Sequence, residues 1–150
     1  AERVMVDGLE YREGLNAVRI EGGIAGNVIP DRCTIEVNYR FAPSRSPEQA
    51  VAFVREFFAD ADEVEIVDLA PGARPGLDAP LARRFVEAVG HEPQAKVGWT
   101  DVARFSELGI PAVNFGPGNP SLAHADEEQV PVAQIEFVER ALRAWLTGVA

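Results

Sequence analysis

Hydrophobic and polar positions alternate in the first half of the chain and follow helical spacing in much of the second half. The clearest alternation runs from residue 33 to residue 41. Its apolar positions are Cys33, Ile35, Val37, Tyr39 and Phe41. Period two of this kind is typical of a half-buried antiparallel strand, because successive side chains point to opposite faces. We predict two further strands, from Leu15 to Glu21, closed by Gly22-Gly23, and from Val64 to Leu69.

A helix is predicted directly after the strand that ends at Phe41. Ser46 and Gln49 have the spacing of a capping box, and Pro47 stands at the first helical position. Apolar residues then recur every three or four positions, which indicates one buried helix face. They are Ala50, Phe53, Val54, Phe57 and Phe58. The order strand, strand, helix, strand predicts helices on one face of a small antiparallel sheet.

The pattern becomes α/β after a linker rich in proline and glycine, from Pro71 to Gly76. We predict a helix that Asp78 caps and Gly90 ends. Short strands are expected at Ala95 to Gly98 and Pro111 to Phe115, with a helix from about Asp101 to Leu108 between them. A last helix is expected from about Pro131 to Leu146. Its predicted buried face consists of Ile135, Val138, Ala141, Leu142, Trp145 and Leu146.

Composition restricts the class of partner. The chain has 150 residues, of which 47% are hydrophobic and 25% charged, so it is long and apolar enough to bury a core. Its net charge of -10 argues against nucleic acid and against an anionic membrane surface, because both reward clustered Lys and Arg. An anionic small molecule stays possible, since a metal ion can supply local positive charge.

Cysteine usage and chain ends add little more. Cys33 is the single cysteine, which excludes an intrachain disulfide and a thiolate zinc cluster and agrees with a reducing compartment. No apolar run approaches the ~20 residues that span a bilayer. The sequence begins at Ala1 without an initiator Met, so the lack of a signal peptide carries little weight.

The loop from Gly116 to Glu128 carries the strongest chemical signal. It follows a predicted strand, is rich in glycine and proline, and ends with His124 beside three acids, Asp126, Glu127 and Glu128. Ligands of α/β folds bind at such loops, and a neutral imidazole that carboxylates orient is a good zinc ligand. The alternative is that the acids favour a helix N-terminus and His124 is a surface residue.

Three other residues have a functional and a structural interpretation. Arg40, on the polar face of a strand, could clamp a carboxylate or pair with Glu36. Asn27 could present its amide to a substrate or only tolerate a left-handed turn. Thr100 and Asp101 stand at a strand-to-helix corner, where they could cap the helix or leave backbone N–H groups free for an anion.

Four stretches together resemble a known family. They are Gly26 to Pro30, Asn38 to Phe41, Gly98 to Asp101, and Gly116 to Glu128. In this order they are similar to the C-terminal part of the dinuclear-zinc amide hydrolases, which include succinyl-diaminopimelate desuccinylase, acetylornithine deacetylase, aminoacylase and glutamate carboxypeptidase. Within the family, the run from Tyr11 to Leu15 and the strand from Val37 to Phe41 look most like the desuccinylases.

The resemblance implies an α/β fold in two parts. Residues 1–72 would be a lid or dimerisation domain, a ferredoxin-like α+β sandwich truncated at its N-terminus. Residues 73–150 would be the last section of the zinc-binding catalytic domain. The subunit would pair with a second copy through the lid and work in the cytoplasm, without nucleic acid or membrane.

The resemblance also implies roles for single residues. His124 would be a metal ligand, and Glu128 would support its loop. Arg40, Asn27 and Thr100 would contact an N-acyl amino acid substrate. Two zinc ions per full-length subunit, with cobalt as a possible substitute, would activate water, and the general base would lie upstream of residue 1. The expected reaction is hydrolysis of N-succinyl-LL-2,6-diaminopimelate, with an acetylornithine-type deacylation as one alternative and a non-catalytic binding module as another.

Overall fold

All four described strands lie between residues 3 and 40, and helices and loops follow. The computed structural model describes residues 2–148. Its strands are β1 (Arg3–Val6), β2 (Leu9–Arg12), β3 (Gly14–Gly22) and β4 (Cys33–Arg40). Its helices are α1 (Pro47–Phe57), α2 (Pro80–Val89), α3 (Val102–Glu107) and α4 (Val132–Thr147), with a short 3-10 turn at Pro120–Leu122. The predicted mixed α/β class is confirmed, and none of the described helices is long and apolar enough to cross a membrane.

The first hairpin was not predicted. β1 and β2 pair antiparallel, with Val6 opposite Leu9. Asp7 and Gly8 form the turn, and both have positive φ angles, 49° and 85°. Two left-handed residues give a turn whose twist matches the strands, and Asp-Gly is a strong signal for it. The Asp7-Gly8 dipeptide is therefore the sequence signal that predicts this hairpin.

The second hairpin confirms two predicted strands. β3 and β4 pair antiparallel from Gly14 opposite Arg40 to Gly22 opposite Cys33, with one register irregularity between Ala17 and Arg19. They form a two-stranded sheet separate from the first hairpin. The expected burial holds only near the end of β4, where Val37 and Tyr39 are half-buried, whereas Cys33 and Ile35 are exposed. Among the described residues, no other strand pairs with this hairpin to make a wider sheet.

Helix α1 begins as its sequence predicts. The Ser46 hydroxyl accepts a hydrogen bond from the Gln49 backbone N–H at 3.2 Å, and the Gln49 side chain accepts one from the Ser46 N–H at 2.8 Å. Ala50 and Val54 are buried, and the Phe53 ring lies 4.9 Å from that of Tyr39 on β4. The reciprocal cap and this aromatic contact place the start of α1 beside the end of β4.

Three predicted strands are wrong. Residues 64–69, 95–98 and 111–115 have no strand assignment. An alternating pattern provides a side-chain face, but a strand also needs a hydrogen-bonded neighbour, and the described residues do not offer one. The predicted cap of α2 is also wrong. Ala79 occupies the N-cap without a side-chain hydrogen bond, because the helix begins at Pro80, and Asp78 pairs instead with Arg83 at 3.6 Å.

Helices α2 and α4 pack on each other through aromatic contacts. The Phe85 ring of α2 meets that of Trp145 on α4 edge-on at 5.2 Å, and it meets Phe115 in the same way at 5.1 Å. Gly90 ends α2 with a left-handed backbone, as predicted. The predicted buried face of α4 is correct at Ala141 but wrong at Ile135 and Leu146, which are 47% and 72% exposed.

A small apolar core connects the two halves of the chain. Val6, Tyr11 and Ala42 are almost fully buried and form its centre. Val4, Leu9, Ala95 and Val97 pack around it. Because Ala95 and Val97 follow the linker, this contact fixes the segment before residue 98 against the first hairpin.

Glu13 is a buried carboxylate, 5% exposed, beside this core. It accepts hydrogen bonds from the Tyr39 hydroxyl at 2.9 Å, the Ala42 backbone N–H at 2.8 Å and the Arg45 guanidinium at 3.3 Å. Burial and then the hydrogen bond to Glu13 raise the pKa of Tyr39 to about 12. The carboxylate is thus compensated by a cation and two neutral donors, which a buried charge requires.

We expect Glu13→Ala in the intact protein to lower the free energy of unfolding by about 2–4 kcal/mol, since it leaves the Ala42 N–H and Arg45 without an acceptor. Chemical denaturation measures the loss. Glu10→Ala is the matched control, because Glu10 pairs with Arg3 at 3.1 Å on an exposed surface and should cost at most about 1 kcal/mol. Equal losses in the two variants would contradict a special role for Glu13.

Candidate functional site

Three of the predicted site residues line one broad cleft of about 2560 Å³. Arg40 comes from the end of β4, Thr100 from the corner before α3, and Glu128 from the loop before α4. Asn114 and Lys96 line the same cleft, although the sequence interpretation named neither. Arg40, Thr100 and Glu128 thus border the same open depression, which is larger than a typical small-molecule pocket of about 300–1,000 Å³.

The Arg40 side chain is exposed at the end of its strand. Its Nε donates a hydrogen bond to the Asn38 side chain at 3.2 Å. No carboxylate within residues 2–148 pairs with it, so the expected alternative partner, Glu36, does not hold it. One bond to Asn38 orients the guanidinium and leaves most of its donors available for a carboxylate.

Asn114 orients Thr100. The Asn114 amide donates to the Thr100 hydroxyl at 3.1 Å, which leaves the hydroxyl proton available to another acceptor. The Asp101 side chain makes no capping hydrogen bond to α3, and the Thr100 carbonyl accepts from the Ala103 N–H at 3.0 Å. The signal for Asn114 was a lone amide in the otherwise apolar run from Ile110 to Phe115.

His124 has an unusual backbone conformation. Its φ angle is 66°, in the left-handed region that non-glycine residues rarely adopt. The Glu128 carboxylate accepts a hydrogen bond from the His124 backbone N–H at 3.0 Å, and the Glu128 N–H donates to the Ala125 carbonyl at 3.0 Å. Glu128 thus holds the main chain of His124, whereas the sequence interpretation expected an acid to orient the imidazole.

The chain's own residues do not make a zinc centre. Within residues 2–148, no group of three or more His, Cys, Asp or Glu side chains lies close enough together to hold a metal ion. A zinc site needs about four ligands, three of them from protein at a catalytic centre. His124 is exposed and is not among the residues that line the cleft. A two-zinc site therefore does not fit these residues alone.

Asn27 lies apart from the other site residues. It is exposed in the loop between β3 and β4, where the Val28 N–H donates to the Ala25 carbonyl at 3.2 Å. It does not line the cleft that Arg40 and Thr100 share. Its expected contact with substrate stays a prediction.

Known proteins are similar to the chain over its length. The DapE protein of Mycobacterium tuberculosis (strain ATCC 25618 / H37Rv) is 53% identical, over 99% of this chain and 42% of its own length. The succinyl-diaminopimelate desuccinylase of Corynebacterium glutamicum is 48% identical, over 98% of this chain and 41% of its own length. The acetylornithine deacetylase of Myxococcus xanthus is 33% identical, over 85% of this chain and 36% of its own length.

The chain thus spans about two fifths of the length of the mycobacterial and corynebacterial relatives. Residues 8–65 match the model of a peptidase dimerisation domain of the M20 type. This match covers β2 to α1, the elements that surround Glu13. With identity near one half across almost every residue, the chain belongs to the M20 peptidase family.

Proposed function

We propose that the intact protein hydrolyses the amide bond of N-succinyl-LL-2,6-diaminopimelate to succinate and LL-2,6-diaminopimelate, and that the diaminopimelate serves lysine and cell-wall biosynthesis. The observation that carries the proposal is the identity of 53% and 48% to DapE and desuccinylase relatives over nearly the whole chain. A cytoplasmic location follows from this role as part of the proposal.

In this proposal, the chain supplies groups that hold the substrate. Arg40 binds a substrate carboxylate through the donors that Asn38 leaves available. Thr100 donates its hydroxyl proton to a substrate oxygen, because Asn114 already occupies the acceptor side of that hydroxyl. Asn27 reaches the substrate from the loop between β3 and β4. Such contacts contribute by fixing the scissile amide in a reactive position.

We further propose that His124 is one ligand of a two-zinc centre, for which cobalt can substitute. The left-handed backbone at His124 supports this, since strained residues cluster where function requires a particular side-chain direction. The Glu128 carboxylate accepts a hydrogen bond from the His124 N–H and so stabilises that backbone. The other ligands and the general base would come from the part of the relatives' length that this chain does not span.

The same proposal includes a homodimer that forms through residues 1–72. Residues 73–150 would be a section of the catalytic domain. The domain match supports the homodimer, and so does exposed apolar surface on the second hairpin, where Val18, Ile20 and Ile35 are 58%, 66% and 51% exposed. The chain exposes 11547 Å² in all. A folded monomer of 16.3 kDa typically exposes about 7,500 Å², so much surface is available to be covered.

Acetylornithine deacetylation is the second candidate, because the Myxococcus xanthus relative has that name and is 33% identical. Parallel assays of the intact enzyme on succinyl-diaminopimelate and acetylornithine separate the two. Faster turnover of acetylornithine would replace the first proposal with the second. A third possibility is that residues 1–150 act alone as a non-catalytic module. Loss of hydrolysis in the intact enzyme when Arg40 or His124 is replaced would contradict it, whereas stoichiometric zinc on the purified chain would contradict the need for ligands from elsewhere.

In the intact enzyme, Arg40→Ala should reduce kcat/KM by about 30-fold to 1,000-fold, the loss of a charge-assisted contact in the transition state. The melting temperature should hardly change, because the Arg40 side chain is exposed. Arg55→Ala is the control, since Arg55 is exposed on α1 and does not line the cleft. A destabilised Arg40 variant with normal kinetics would contradict the binding role.

Light scattering should return a dimer for the intact protein across its working concentrations. Ile20→Glu should shift it towards the monomer, because a charge would be buried at the hairpin surface. Leu81→Glu changes an equally exposed apolar residue on α2, outside the dimerisation domain, and should leave the dimer intact. A monomeric wild type would contradict the assembly, and equal effects of both variants would contradict its location.

Replacing His124 with Ala in the intact enzyme should lower bound zinc from two ions towards one and abolish activity, with the fold preserved. The residue is exposed and contributes little packing, so the melting temperature of the metal-free protein should stay unchanged. Metal analysis and circular dichroism measure these effects. His91→Ala is the control for zinc content, because His91 lies just after α2 with its ring against Phe137. Unchanged zinc content and activity in the His124 variant would rule out the ligand role.

A further inference from the structure

Lys96 and Arg40 direct their charged groups to one place in the cleft. A Cβ built on Gly98 would lie 3.7 Å from the Lys96 Nζ and 3.7 Å from an Arg40 terminal nitrogen. Gly98 carries no side chain, so the space that both cations reach is left open. Lys96 is the only lysine of the sequence, and Arg supplies the other 13 of its 14 basic residues.

The core fixes this convergence. Ala95 and Val97 pack on the cluster of Val6, Tyr11 and Ala42, and Lys96 between them is exposed. Arg40 stands two residues before Ala42, which belongs to the same cluster. Two cations from distant parts of the chain are thus held near each other by the apolar contacts beneath them.

Neither cation is neutralised by the chain. Within residues 2–148, no carboxylate forms an ion pair with Lys96 or Arg40, although the whole sequence carries 24 acidic residues. Like charges held close together repel, and an anion between them relieves that repulsion. A carboxylate has two oxygens, so one can accept from the guanidinium and the other from the ammonium.

We infer that Lys96 acts with Arg40 to bind a carboxylate of the substrate, which makes Lys96 a specificity-determining residue of this cleft. The inference rests on the proposed function for the identity of the substrate. The two cations that meet beside Gly98 favour an anionic ligand there, which we assign to a carboxylate. Succinyl-diaminopimelate offers carboxylates on both its acyl and its amino acid part, and the two products separate these sources.

The test uses Lys96→Met and Lys96→Arg in the intact enzyme. Lys96→Met should raise KM for succinyl-diaminopimelate about tenfold to a hundredfold with kcat changed much less, because it removes one charge-assisted contact. Lys96→Arg should restore most of the KM. Arg84→Met is the control, since Arg84 is an exposed cation outside the cleft, and it should leave KM unchanged.

Calorimetry with succinate and with diaminopimelate as separate probes gives a readout besides turnover. Lys96→Met should weaken one of them about tenfold, and the weakened probe identifies the carboxylate. Unchanged affinity of Lys96→Met for both probes would overturn the inference. A Lys96→Met variant that loses both kcat and melting temperature, with neither restored in Lys96→Arg, would overturn it as well. A wild-type enzyme that fails to hydrolyse the succinyl substrate, but binds a probe through Lys96, would refute the proposed function alone.

Discussion

The carboxylate of Glu13 is the constraint on which the placement of the site depends. A buried charge must be compensated, and Glu13 obtains its compensation from Tyr39, the Ala42 backbone and Arg45. These donors lie on the end of β4 and on the turn into α1. Arg40 stands between Tyr39 and Ala42 in the chain, so its backbone is held on both sides. The position of its backbone follows from hydrogen bonds that its neighbours make, and its own bond to Asn38 then orients the guanidinium.

The apolar core then brings the second half of the chain to this fixed strand end. Ala95 and Val97 bury themselves against Val6, Tyr11 and Ala42, and they carry Lys96 and the corner at Thr100 with them. The contact between Asn114 and Thr100 adds the next loop to the same surface. A substitution that loosens this small core would therefore also displace the charged groups of Arg40 and Lys96 and the hydroxyl of Thr100. The stability of this core and the positions of Arg40, Lys96 and Thr100 thus depend on the same neighbours.

The loop at His124 is stabilised by a local hydrogen bond. The backbone of His124 is left-handed, and the Glu128 carboxylate accepts a hydrogen bond from its N–H. A single hydrogen bond in an exposed loop stabilises a strained conformation only modestly.

The sequence by itself determined the features that arise within a few residues of each other. The short β-type run of β3, the alternation in β4, the capping box of Ser46 and Gln49, and the glycine stop at Gly90 all follow from backbone geometry and local hydrogen bonds. The four motif stretches likewise pointed to the amide hydrolase family, which the relatives and the dimerisation-domain match confirm. Asp7-Gly8 belonged to the same local class, although the interpretation passed over it.

Tertiary structure decided what needs a distant partner. The segments 64–69, 95–98 and 111–115 look like strands in the sequence but have no paired neighbour among the described residues. The burial of Glu13, the orientation of Thr100 by Asn114 and the convergence of Lys96 with Arg40 join residues far apart in the chain. Periodicity indicates which face of an element is apolar, but it does not indicate which residues that face contacts. The arrangement of the candidate site therefore required the tertiary structure.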